Sequence, residues 1–192
     1  MQYVFSEVLN DLTDYFIVGD LLLLQRFKDQ QQLSDDLASE FVSGESGDKA
    51  VREGVIIPLA GIENLPYTIL FTLPPSSPEL LKPESRLQHR RSGYALQVAH
   101  RRVQLFTWPI LQHFTPNSVD QLLRRLQQPG RPTIEVENGW YQVEILGGEV
   151  RREGGFEPAF EFVLSKTNLP VECSGVDTHY RFTIMCSAEP AG

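Results

Sequence analysis

The chain has two cysteines, two methionines and two tryptophans among 192 residues, and no apolar run long enough to span a bilayer. The longest such run, 15–24, is interrupted by Asp20 and falls far short of the roughly 20 residues a transmembrane helix needs. The start, Met-Gln-Tyr-Val-Phe-Ser-Glu, shows neither a basic segment nor a small-residue cleavage site, so a soluble, cytoplasmic protein with no membrane partner is expected. Cys173 and Cys186 are too few for a disulfide scaffold and fit no zinc spacing, which makes buried free thiols the expected state. The four histidines are scattered without ligand spacing, there is no Gly-x-Ser-x-Gly, and neither Gly147-Gly148 nor Gly154-Gly155 opens a helix. No catalytic residue, metal or cofactor is therefore expected.

Basic charge is scarce overall, with 17 Lys and Arg against 25 Asp and Glu, and it is concentrated in one stretch. Residues 1–64 carry a net −8, 82–131 a net +7 and 132–192 a net −6. The basic stretch includes the triplets His89-Arg90-Arg91 and His100-Arg101-Arg102. These flank a strand over 92–99, which would hold them roughly 26 Å apart at about 3.3 Å per residue. With a pI near 5, nucleic acid is not an expected partner. Acidic ends instead favour a basic protein partner.

Residues 133–146 carry the strongest local signal, because Asn138-Gly139 between alternating apolar residues is a hairpin pattern. A two-residue turn would pair Glu137 with Trp140, Val136 with Tyr141 and Glu135 with Gln142. Ile134, Val136, Tyr141, Val143 and Ile145 would then face a core, and Glu135, Glu137, Trp140, Gln142 and Glu144 the other side. An aromatic ring among glutamates has the composition of a protein interface, so these five form the candidate partner-binding set. A second hairpin is expected at His100-Arg101, between the stripes Tyr94, Leu96, Val98 and Val103, Leu105, Thr107.

Other elements follow from composition. Phe16 to Leu24 reads as a buried strand, and a short helix over 34–42 with Ser34 as N-cap is broken by a mobile loop at 43–48. Strands are expected over 55–59 and 67–73, the latter stopped by a proline loop through Pro83. Val119, Leu122, Leu123 and Leu126 mark a helix over 117–128, capped at Asn117 or Ser118. Trp108 is expected to plug the end of the sandwich. A glycine-rich loop over 147–155, last strands at 159–164 and 180–186, and a frayed tail over 188–192 complete the reading. The fold class is mostly β: one domain over 1–192, an antiparallel sandwich of eight to ten strands with one covering helix.

Four features together resemble the competence-protein-J nuclease inhibitors and related bacterial immunity proteins. They are Phe16-Ile17-Val18-Gly19-Asp20, the strand start Gly54-Val55-Ile56, the following strand beside a proline loop, and Asn138-Gly139-Trp140-Tyr141-Gln142-Val143. The resemblance spans about half of the chain and leaves 74–132 unmatched. It implies a small acidic β-sandwich that neutralises a nuclease or toxin domain by occupying it, and it carries over no functional residues. The alternative expectation is a small-ligand site or weak enzyme with a pocket under the 147–155 loop.

Overall fold

The computed structural model describes residues 1–8, 15–171, 173 and 176–186, with Glu7 and Val8 described as backbone. Among these residues it is mostly β, with nine strands in two facing sheets and a few helices. The strands are β1 (Gln2–Val8), β2 (Tyr15–Gly19), β3 (Ile56–Ala60), β4 (Pro66–Thr72), β5 (Arg86–Val98), β6 (Arg102–Thr107), β7 (Thr133–Glu135), β8 (Gly139–Arg152) and β9 (Gly155–Thr167). One sheet has the order β1-β4-β9-β8-β5 and the other β3-β2-β6-β7. All pairings are antiparallel except β4 with β9, so the expected antiparallel sandwich contains one parallel junction.

Phe16, Tyr67, Phe71, Phe160 and Phe162 fill the space between the sheets. A second cluster lies outside the four-stranded sheet, under helices α1 (Leu21–Gln31), α2 (Leu37–Ser43), α3 (Ser46–Arg52) and α4 (Pro116–Leu126). Helix α4 is the expected leucine helix, buried through Val119, Leu122 and Leu126. Its cap is Thr115 rather than Asn117 or Ser118, and Ser118 closes a capping box with it.

The apolar run does not stay a strand. It ends at Gly19, and Asp20 caps α1 by accepting the N–H groups of Leu22 and Leu23, so the four leucines are helical. The same carboxylate accepts the N–H groups of Ala99 and His100 at 2.9 and 2.8 Å. A run buried on both sides has no period to separate strand from helix, and the cap decides. Likewise α2 is capped by Asp36 instead of Ser34, and 43–48 is a helix junction from which α3 starts, not a loop.

Neither expected hairpin forms. Asn138-Gly139 joins β7 in one sheet to β8 in the other, and His100-Arg101 joins β5 to β6 in the same manner. Glu135 pairs with Arg102 and Trp140 with Gln97 and Thr167. The two corners are bonded to one another: the Arg101 N–H donates to the Asn138 side-chain oxygen at 2.7 Å, and the Val136 N–H to the Arg101 carbonyl. The apolar stripes do face the core, but across the sandwich rather than side by side.

The segment 147–155 is strand and turn instead of a loop, since Arg152 pairs with Gly155 around Glu153-Gly154. Gly147 sits where the Phe160 ring and His89 crowd it: a Cβ there would lie 3.0 Å from that ring. His89 to Arg91 fall inside β5, not at its end. Segment 180–186 is not a strand; a single bridge ties Arg181 to Ala60 while Phe182 and Ile184 are buried. Strand β1 has no counterpart among the expected elements. Trp108 packs against Tyr15 with ring centroids 5.1 Å apart and the planes tilted by 42°. Cys173 and Cys186 are free thiols, but neither is fully buried as expected: Cys173 is half-buried and Cys186 exposed. The tail 188–192 lies outside the described residues.

Candidate protein-binding face

The outer side of the five-stranded sheet is half covered. The proline loop crosses one half and seats Leu80 on Leu70, Leu146, Val150 and Ala159. Its anchor is Glu161, a fully buried carboxylate that accepts from Thr72 (2.5 Å), from Gln2 (3.2 Å) and from the backbone N–H groups of Glu79 (3.0 Å) and Leu80 (2.8 Å). A buried carboxylate with four donors is stabilised in place.

The other half is open. Cross-strand pairing puts Glu144 beside Val163, Gln142 beside Ser165 and Trp140 beside Thr167. On the far side β5 loses register between Arg91 and Tyr94, which leaves Ser92-Gly93 as a bulge opposite Glu144. A shallow depression of about 220 Å³ results, lined by Ser92, Gln142, Glu144, Val163 and Ser165. Trp140 follows on the same strand face beyond Gln142, its half-buried ring lying on Gly54; a Cβ at that glycine would come within 2.7 Å of the ring. Gly54 also has φ +65°, which a side chain opposes independently.

Three of the five expected residues, Trp140, Gln142 and Glu144, thus share a face. Glu137 lies at the corner beside it and Glu135 on β7 of the other sheet, where it lines a different groove. The glutamates are not bare charges. Arg90 donates to Glu144 at 2.8 Å, and Lys166 is paired with Glu137. The hydrogen bond from Lys166 holds the Glu137 carboxyl below its ordinary range and raises the lysine in turn. Tyr141 donates to the Glu137 carbonyl at 2.7 Å, and burial pushes its phenol up.

Ser92, Val163 and Ser165 belong to the face without having been singled out in the sequence. Ser92-Gly93 inside an alternating strand is the signal that would have found the bulge. Among the described residues no group of three or more His, Cys, Asp or Glu is placed to hold a metal, and no helix is long and apolar enough to cross a membrane. No lid of 147–155 exists to cover a pocket, because those residues are strand and hairpin turn.

No family model matches the chain, and no curated protein matches its sequence. Among solved structures two neighbours of similar length are found. One is titled "Crocagin biosynthetic gene J", 11% identical, with 85% of this chain and 97% of that chain covered at a TM-score of 0.44. Another is ComJ from Bacillus subtilis, an inhibitor of the DNA-degrading activity of NucA, 12% identical, with 87% and 96% covered at a TM-score of 0.43. ComJ is the protein to which the sequence resemblance pointed. Both likenesses concern the chain path alone, and no residue role transfers.

Proposed function

We propose that this chain is a protein-binding inhibitor or immunity factor whose open sheet face, centred on Trp140, Gln142 and Glu144, occupies a basic partner domain. The observation that carries the reading is the shape and chemistry of that face. It is shallow, of mixed polarity and shares its strand face with a large aromatic ring, and its depression of about 220 Å³ is smaller than the roughly 300–1,000 Å³ of small-molecule sites. An aromatic anchor beside polar groups that can exchange partners is the anatomy of a binding hot spot.

The basic partner follows from the net charge of −8 and from the state of the glutamates. Glu144 and Glu137 are held by Arg90 and Lys166, both exposed. Exposed ion pairs contribute about 0–1 kcal/mol, so a partner's arginine or lysine can displace them at small cost. A nuclease or toxin domain is the form of partner we assign, the function stated for ComJ being the same in kind.

The test is affinity purification from source-cell lysate with wild type and Trp140→Ala in parallel, followed by assay of the retained protein for DNA degradation with and without this chain. One stoichiometric partner, lost in the variant and inhibited by the wild type, is the expected result. A partner retained equally by both proteins would refute the face, and a partner without nuclease or toxin activity would refute the inhibitor role.

A further inference from the structure

Only part of the basic middle of the chain, Arg90, is held at that face. Two of its arginines, Arg102 and Arg131, lie instead at another edge of the sandwich, where β1 ends one sheet and β7 ends the other. Between these two edges and the segment after α4 runs a groove of about 470 Å³. Its floor and walls include Phe5, Leu126 and Pro129, and its charged residues are Arg102, Arg131 and Glu135. Neither arginine has a carboxylate within 4 Å among the described residues. Arg101 adjoins Arg102 in sequence, and Arg124 and Arg125 occupy the exposed last turn of α4, just before the lining residues Leu126 and Gln127.

The backbone at the groove is also unspent. Strand β7 bonds to β6 through residues 132, 134 and 136: the Leu105 N–H donates to the Pro132 carbonyl, Ile134 faces Val103, and the Val136 N–H donates to Arg101. The alternation of an antiparallel ladder then turns the N–H and C=O of Glu135 toward the free edge. By the same rule, with the Leu73 N–H donating to the Met1 carbonyl, β1 turns the backbone groups of Gln2, Val4 and Ser6 outward.

We infer that this groove binds an acidic, extended peptide segment of a partner protein, laid along the free edge of β7 with its carboxylates on Arg102 and Arg131. Arginine forks match carboxylates bidentately, and a free strand edge supplies main-chain hydrogen bonds to an added strand. The groove's apolar wall accepts the alternate, non-acidic side chains of such a strand. Its single aromatic residue, Phe5, provides no stacking platform of the kind that single-stranded nucleic acid uses. This inference stands apart from the proposed inhibitor face, which has the opposite charge preference and lies on the outer side of β8 and β9, with no lining residue in common.

The experiment is fluorescence polarisation with a labelled peptide of alternating valine and glutamate, its lysine counterpart and a labelled single-stranded oligonucleotide, against wild type, the double variant Arg102→Glu/Arg131→Glu and the double variant Arg102→Lys/Arg131→Lys. Circular dichroism establishes that each is folded. Expected are binding of the acidic peptide alone, a loss of at least tenfold in the glutamate variant, a smaller loss in the lysine variant, and no change in Trp140→Ala. Equal binding of both peptides, no binding of the acidic one, insensitivity to the glutamate variant, or preference for the oligonucleotide would each overturn the inference.

Discussion

Replacing Asp20 by alanine tests how the first helix is set. The carboxylate is 1% exposed and accepts from four backbone N–H groups, those of Leu22, Leu23, Ala99 and His100, while His100 Nδ1 lies 3.1 Å from either oxygen. Loss of an N-cap costs about 1–2 kcal/mol. The two N–H groups of the β5–β6 corner lose a charged acceptor but lie partly in reach of water, so about 1 kcal/mol each is reasonable. The sum is about 3–4 kcal/mol, which for a chain of this length lowers Tm by roughly 6–16 °C. Asp20→Asn keeps one oxygen to cap the helix but turns an NH2 group toward the Ala99 and His100 N–H groups, so it should retain the cap, lose the corner and cost about half as much. Urea unfolding monitored by circular dichroism reads both. A loss below about 1 kcal/mol in Asp20→Ala, or equal losses in the two variants, would refute the argument that one side chain holds both the helix start and the corner.

The remaining expectations concern the face and the core. Trp140→Ala should cost only about 1–2 kcal/mol, because the ring is half-buried, whereas truncation of a fully buried aromatic costs about 3–5; a larger loss in denaturant unfolding would make Trp140 a core residue. Gly54→Ala should destabilise by about 2 kcal/mol through its positive φ and the Trp140 ring, and the double variant with Trp140→Ala should be less than additive in the same assay. The buried hydroxyl of Tyr67 makes no well-formed hydrogen bond among the described residues, so Tyr67→Phe should be neutral or stabilising by thermal unfolding. Burial pushes its phenol up to about 12. Because the unfolded phenol ionises near 10, wild type should lose stability as pH rises from 10 toward 12, and Tyr67→Phe should lose less. Thiol labelling in the native state should reach exposed Cys186 well before Cys173, whose thiol is raised by burial and donates to the Val51 carbonyl at 3.2 Å.

Faces were legible in the sequence, and pairings were not. The stripes Ile134, Val136, Tyr141, Val143 and Tyr94, Leu96, Val98 all point into the core as the period of two requires. That period does not say whether two stripes joined by a short turn lie side by side in one sheet or face each other across a sandwich. The choice is made by tertiary contacts, such as the Asn138 side chain receiving the Arg101 N–H and Gly139 at φ +145°. Gly147 and Gly148 read as a loop because no local signal tells a loosening glycine from one that admits an aromatic ring. Helix α4 was legible but for its cap, since its apolar period and closing Pro129-Gly130 agree while the cap is Thr115 rather than Asn117 or Ser118. The candidate face was legible in part: alternation placed Trp140, Gln142 and Glu144 together, while Glu135 was separated by the sheet change and Arg90 and Lys166 come from other strands.

The parallel junction of β4 with β9 bears on how the molecule is made. It pairs Thr68 with Ala159 and Thr72 with Val163, so the centre of the larger sheet closes only between segments some 90 residues apart. Pairing at such separation is slow to form. During synthesis β1 and β4 can zip together early, yet they present an unsatisfied edge carrying Tyr67, Ile69 and Phe71 until residue 163 has left the ribosome. The nascent chain therefore passes through a long interval with a sticky half-sheet, and its yield in cells should depend on chaperone supply and translation speed more than its final stability would suggest.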